Sequence, residues 1–362
     1  MTQIDWVHIG VTGKCNFRCQ YCYAAEDQQP DYKELTIPEF EQYVIPAVQN
    51  MKPNAIDLEG GEPLFEWERL TEMIKLIEAN VSSVETLQMT TNGSLLTEKR
   101  IKKLRELTDK DWTIVISIDT LQEEKDVRNP RAYRTVRKNI ELCEQYGLLG
   151  AISVVVTNQN FREIETILKK YKNSETLVLC FPIIPHNPEH KKFALDSEQL
   201  TTLDRLLLEN FLNPAFFPSP MPLNPEVWGD VEPILKKSNY RQYLGCTALK
   251  YDIDIRPDGI VKPCQVFNLE LGDLKSQTIK EILNTLLALK IKAYEKYEGK
   301  CGKCKYVHIC LGGCRARAHM ETGNFFGEVV TCEGGPDGHP LEEIATETFL
   351  DSISRLEWDQ SS

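Results

Sequence analysis

The chain has 362 residues, 41% hydrophobic and 27% charged, with a formal net charge of −12. That length allows one large domain and a smaller one. It contains no apolar run of spanning length, no N-terminal signal-peptide pattern and no basic stripe of the kind nucleic-acid binding needs, so membrane and nucleic-acid partners are not expected and a cytoplasmic location is.

In chain order, short β-rich runs alternate with helical patterns. Strands are expected at 6–12, 55–60, 84–90, 113–119, 151–157 and 176–182. Between them, TIPEFEQYVIPAV opens on Thr36 as N-cap with Pro38 in the first turn. EWERLTEMIKLIEAN keeps Leu70, Met73, Ile74 and Ile77 at helical spacing, and LTEKRIKKLREL puts Ile101, Leu104 and Leu107 on one face. AYRTVRKNIELCEQYG ends at Gly147, a C′ residue. Six β–α units imply a parallel sheet with right-handed crossovers, fewer than the eight of a full barrel. The expected fold class is α/β, a partial (β/α)6 TIM-like barrel over residues 1–182. Function in such sheets gathers where the strands end. The polar, glycine-rich pieces fall there: TGKCNFRCQYCY after the first strand, GGEP (60–63) after the second, TTNG (90–93) after the third, and Asp119 at the fourth.

Beyond residue 182 the texture becomes proline-rich around one helix, DSEQLTTLDRLLLENFL. Residues 183–245 read as a bridge, 246–335 as a cysteine-rich region and 336–362 as a helical tail. The twelve cysteines are unevenly placed: 15, 19 and 22, then 143 and 180 alone, then seven between 246 and 332. Disulfides are not expected in a reducing compartment, and clustering at ligand-like spacings points to metal. Cys143 reads as a buried small hydrophobe, and Cys180 as structural with a lesser prospect of facing the site. The histidines at 186, 190, 308, 319 and 339 read as surface or loop residues.

Three thiolates on one short loop can hold three irons of a cubane cluster and leave the fourth without a protein ligand, whereas four-cysteine sites are closed. A zinc knot would need a fourth ligand, and the close histidine is His8. The arrangement of Cys15, Cys19 and Cys22, with Tyr21 before the last cysteine, resembles the radical S-adenosylmethionine superfamily. The resemblance implies reductive cleavage of S-adenosylmethionine bound to the open iron of a 4Fe–4S cluster, and hydrogen abstraction by the 5′-deoxyadenosyl radical. It implies cofactor contacts at Tyr21, at Gly60, Gly61, Glu62 and Pro63, at Thr91 and Asn92, at Ser117 and Asp119, and at Arg128. A flavodoxin- or ferredoxin-type electron donor is the expected redox partner.

The later cysteines, 246, 264, 301, 304, 310, 314 and 332, resemble a SPASM domain, which holds auxiliary clusters. That resemblance assigns Cys301, Cys304, Cys310 and Cys332 to an outer 4Fe–4S cluster and Cys246, Cys264 and Cys314 to an inner one, for three clusters in all. Seven is one short of two full sets. The fourth place on the inner cluster falls to Asp252 or Asp254, to Cys180 from the barrel, or to an open iron, which we expect. The expected activity is modification of a ribosomally made substrate peptide, with a separate leader-binding protein as partner because the chain starts just before its first strand. The other reading is oxidation, epimerisation or decarboxylation of an aminosugar, antibiotic precursor or tetrapyrrole. Anaerobic sulfatase maturases carry an aspartate base directly after the second SPASM cysteine. This chain has Gln265 there, which argues against formylglycine formation.

Overall fold

The computed structural model describes residues 4–25, 28, 29, 31–210, 246–293, 297–304, 312–330 and 332. All six expected strands form: β1 Trp6–Thr12, β2 Ala55–Gly60, β3 Thr86–Thr91, β4 Asp111–Ser117, β5 Leu149–Val156 and β6 Leu177–Pro182. Each pairs in parallel with the next. The sheet continues past them. β7 Asp252–Ile255 lies parallel to β1, and β8 Ile260–Lys262 and β9 Gly272–Asp273 follow antiparallel. The order is β6-β5-β4-β3-β2-β1-β7-β8-β9, so the barrel is partial and not closed. The start of the cysteine-rich region thus extends the core sheet.

Helices cover one face. α1 Ile37–Glu39 runs through a π turn, Phe40–Val44, into α2 Ile45–Met51. A capping box between Thr36 and Glu39 starts it, and Pro46, which has no N–H to give, sits within the first turn of α2. α3 Trp67–Asn80, α4 Glu98–Glu106, α5 Tyr133–Gln145 and α6 Ile164–Tyr171 follow their strands, and α7 Ser197–Asn210 forms where the lone bridge helix was expected. Gly147 ends α5 at φ 64°, as its sequence position implied. α8 Ile279–Leu283, α9 Leu286–Ala293 and α10 Arg315–Thr322 belong to the cysteine-rich part. Cys310, residues 211–245 and the expected helical tail lie outside the described residues.

Strand alternation sorts the faces. Val7, Ile9 and Val11 of β1, Ile56 and Leu58 of β2, and Ile253 and Ile255 of β7 share one core with Leu70, Met73, Ile74 and Ile77 of α3. The opposite, concave face therefore receives His8, Gly10 and Thr12 from β1, Asp57 and Glu59 from β2, and Asp252 and Asp254 from β7.

Leu58 is fully buried in that core. Leu58→Ala removes its packing and is expected to cost about 2–5 kcal/mol in anaerobic urea unfolding. Thr36→Ala, which removes only an exposed cap, should cost about 1 kcal/mol. Equal losses in the two variants would place Leu58 outside the core.

Candidate active site

The loop after β1 is held by the loop after β2. Gly61 N–H donates to the Thr12 carbonyl at 2.7 Å, and Glu62 N–H to the Lys14 carbonyl at 2.9 Å. Gly60 has φ 117°, and a Cβ there would lie 2.5 Å from the Thr12 oxygen; one on Gly61 would lie 2.2 Å from the Lys14 oxygen. Only a glycine pair lets the two backbones come this close. Glu34 secures the other side, accepting from the Thr12 hydroxyl at 2.6 Å and the Gly13 amide at 2.8 Å.

Glu62 is fully buried, and its carboxylate is occupied. It accepts from Leu64 N–H at 3.1 Å, the Thr91 hydroxyl at 2.6 Å and Asn92 N–H at 2.8 Å. Burial raises its pKa against these three donors. Asn92 returns to the first loop, donating to the Asn16 side chain at 2.9 Å. The motifs after β1, β2 and β3 are thereby tied into one circuit. Beside them, Tyr21 donates to Asp119. Burial pushes the Asp119 carboxyl up to about 6, opposed by Arg128 and the Tyr21 bond. Arg128 bonds the Ser117 carbonyl, lies 5.7 Å over the Phe17 ring and faces Cys19. Pro63 begins the short 3-10 turn Pro63–Glu66. The structure thus gathers Tyr21, Gly60, Gly61, Glu62, Pro63, Thr91, Asn92, Ser117, Asp119 and Arg128 around the cysteine loop.

Cys15, Cys19 and Cys22 are each half-buried. Burial raises the Cys15 and Cys22 thiols, the latter to about 12, and the field of Cys19 adds to both. Thiols that oppose one another's ionisation are a donor set completed by cationic metal. Among the described residues no three cysteine sulfurs converge within 4.8 Å. The inner set is also assembled. Cys264 is raised first by burial, then by Asp252, Cys246 and Cys314. Cys314 caps α10, its sulfur accepting from Arg317 N–H at 3.5 Å. Arg317 then donates to the carbonyls of Pro182 and Ile183 at 3.2 and 3.0 Å, fixing α10 to the end of β6. Cys301 and Cys304 share a 3-10 turn, and Lys300 beside them bonds the Cys332 carbonyl.

Between the Cys15–Cys22 loop and the inner set lies a buried polar cluster, of which the sequence pointed to His8, Asp252, Asp254 and Gln265 singly but not to Asp57, Glu59, Tyr23 or Lys262. His8 is in register with Asp57 on β2 and Asp254 on β7. His8 Nδ1 lies 3.5 Å from Asp57 and meets the Gln265 side-chain amide. Asp57 accepts from the Thr90 hydroxyl at 2.9 Å. Lys262 lies 3.6 Å from Asp254, and the Tyr23 hydroxyl donates to Glu59 at 3.4 Å. Burial opposes charge on His8, yet the Asp57 bond and the fields of Glu59, Asp57 and Asp252 lift its pKa to about 9. Burial also holds Glu59 well above the usual carboxylate range. Tyr23 is next to Cys22, and Asp252 faces both His8 and Cys264. The signal available in the sequence was a polar residue at alternate positions of otherwise apolar strands.

Cys180 is structural, as expected: it is fully buried in the core on the helix side of β6, which removes it as a ligand of the inner set. His190 is not a surface residue: it is 4% exposed, its N–H donating to Asn187 Oδ1 at 3.0 Å. Among the described residues no helix is long and apolar enough to cross a membrane.

The fold and site define a class, which family comparison confirms: residues 9–171 match the Radical SAM superfamily. Residues 246–305 match SPASM, an iron–sulfur cluster-binding domain. The chain is a radical SAM enzyme with a SPASM domain. It is 24% identical to an AdoMet-dependent heme synthase of Methanosarcina barkeri, over 89% of this chain and 94% of that one. It is 27% identical to a cysteine-type anaerobic sulfatase-maturating enzyme of Clostridium perfringens, over 83% and 86%. Among solved structures it resembles anSMEcpe with bound AdoMet, at TM-score 0.63 and 22% identity, covering 86% of this chain and 89% of that one. It also resembles Streptococcus suis SuiB bound to precursor peptide SuiA, at TM-score 0.64 and 18% identity, covering 92% and 76%.

Gly61→Ala forces apart the loops after β1 and β2. It is expected to lower the iron bound after anaerobic reconstitution, through loss at the Cys15–Cys22 loop. Glu62→Ala strands three donors and should cost about 3 kcal/mol, while Glu62→Gln keeps part of the network. Wild-type iron in Gly61→Ala would show that the clasp does not position the cysteines.

Proposed function

We propose that this chain modifies a peptide by radical chemistry, with the substrate seated on the concave face between its two cysteine sets. The observation that carries this reading is the run of neighbours from Cys22 through Tyr23, Glu59 and His8 to Asp252 and Cys264. Reductive cleavage of S-adenosylmethionine supplies the 5′-deoxyadenosyl radical that abstracts a hydrogen atom. Cys15, Cys19 and Cys22 hold the cluster required for this. Cys246, Cys264 and Cys314 hold an inner cluster, and Cys301, Cys304, Cys310 and Cys332 an outer one. The cofactor sits among Gly60, Gly61, Pro63, Thr91, Asn92, Ser117 and Arg128. Glu62 and the Tyr21–Asp119 pair stiffen that rim. Asp252 is the carboxylate beside the inner set; Asp254 is taken by Lys262. The electron comes from a flavodoxin- or ferredoxin-type donor, and the setting is the cytoplasm.

Support for a peptide comes from the length-wide similarity to a sulfatase-maturating enzyme and from the peptide-bound structures this fold resembles. Gln265, bonded to His8, has no carboxylate to take a proton, so formylglycine formation is not proposed. The similarity to heme synthases favours a tetrapyrrole as the second reading.

Reconstituted enzyme is expected to hold about twelve irons per chain as three 4Fe–4S clusters. Replacing Cys15, Cys19 and Cys22 with alanine should remove about four of them and abolish 5′-deoxyadenosine formation. A triple variant that still cleaves S-adenosylmethionine would contradict the assignment. Mass spectrometry of a candidate peptide co-expressed with the enzyme should show a mass change absent with the triple variant.

A further inference from the structure

We propose that the buried guanidinium of Arg315 is the fixed counter-charge of the auxiliary clusters, standing between the two later cysteine sets and making their clusters easier to reduce. This rests on reading those cysteines as cluster ligands, and not on the nature of the substrate. Arg315 is the largest fully buried side chain among the described residues. Its Nη1 donates to the carbonyls of Phe325 at 3.1 Å and Gly327 at 2.8 Å, and its Nη2 to that of Gly312. Its Nε is buried with no hydrogen-bond partner. Among the described residues no carboxylate pairs with it. Arg69, Arg256 and Arg317, largely buried too, each answer one: Glu34 at 3.9 Å, Asp258 at 3.1 Å and Glu321 at 3.8 Å. The acids of the surrounding segments are engaged elsewhere. Glu298 accepts from the Asn324 side chain at 2.7 Å, Glu321 from Val330 N–H at 2.7 Å and Glu328 from Lys300 N–H at 2.5 Å.

A buried carboxylate can take up a proton, but a guanidinium cannot shed one. Three neutral carbonyls do not balance its charge, so an anion is called for. The position says which. Arg315 directly follows Cys314 and opens α10. Its guanidinium carbon lies 5.3 Å over the Tyr297 ring. That tyrosine packs against the outer set: a Cβ on Gly302, between Cys301 and Cys304, would lie 2.3 Å from the Tyr297 carbonyl oxygen. The same charge reaches Cys314, where burial pushes the thiol up and the Arg317 N–H and the charges of Arg317 and Arg315 pull it down. A thiolate-ligated cluster is net anionic and gains further negative charge on reduction, so a fixed cation beside it favours the reduced state. Arg317 is the weaker source of that field, since Glu321 offsets it.

The test is an anaerobic redox titration of the reconstituted enzyme followed by electron paramagnetic resonance. It sets Arg315→Gln, which keeps hydrogen-bonding groups and loses the charge, against Arg315→Lys, which keeps the charge and loses the planar fork. Loss of a unit charge within about 10 Å, at an effective dielectric constant of about 20, changes a one-electron equilibrium by about tenfold, which is about 59 mV. Arg315→Gln should lower the midpoint of at least one auxiliary signal by that factor. Arg315→Lys should stay near wild type, and the signal that responds to S-adenosylmethionine should move in neither. Loss of auxiliary iron in Arg315→Gln, with iron retained in Arg315→Lys, would uphold the proposal equally. Like behaviour of the two variants, whether both unchanged, both shifted or both short of iron, would overturn it and leave Arg315 a tie between backbone carbonyls. An equal shift of the S-adenosylmethionine-responsive signal would overturn it too. Cys304→Ala and Cys314→Ala identify the auxiliary signals; wild-type iron and signals in both would sink the cluster reading, and the proposal with it.

Discussion

The approach of two backbones, Gly60–Gly61 against Thr12–Lys14, sets the position of everything at the strand ends. Gly61 and Glu62 amides reach the Thr12 and Lys14 carbonyls, and no side chain fits between them. The cysteine loop is thereby hung from the end of β2. Glu62 passes the constraint to Thr91 and Asn92, and Asn92 passes it back to Asn16. A loop of small and polar residues gains the rigidity that a metal-binding constellation requires from this closed circuit of hydrogen bonds. The motif glutamate is thus first a structural tie, buried and three times bonded.

A second constraint brings the cysteine-rich part to the same place. β7 continues the sheet beside β1, so Asp252 and Asp254 share a face with His8, Asp57 and Glu59. Arg317 fastens the Cys314 helix to the end of β6, and Gln265, next to Cys264, reaches His8. The concave face therefore has Cys22 at one end, beside Tyr23, and Cys264 at the other, beside Asp252.

Much of this was legible in sequence because its signals are local. Six short β-rich runs became the six parallel strands, Thr36 and Gly147 marked helix ends, and the three rim motifs arrived at one rim. Boundaries of β3, β4 and β5 moved by up to two residues, as strand ends lacking a turn signal do. What stayed hidden is non-local. His8, Asp57, Glu59 and Asp254 are polar residues spread over three strands, each readable as the solvent side of a half-buried strand. Only the parallel register of β7 on β1, joined across about 240 residues of chain, shows that they converge. Cys180 illustrates the converse: its position near a strand end left a lesser prospect of facing the site, and the alternation of β6 removes it by turning the side chain into the core beside the helices.

The account stands on the Cys15–Cys22 loop being the place where S-adenosylmethionine meets iron. Electron paramagnetic resonance of the dithionite-reduced enzyme, with and without S-adenosylmethionine, tests this most directly. The account predicts that the cofactor shifts one cluster signal, that this signal is missing when Cys15, Cys19 and Cys22 are alanine, and that the remaining signals do not respond. A cofactor-induced shift that persists in the triple variant would contradict it.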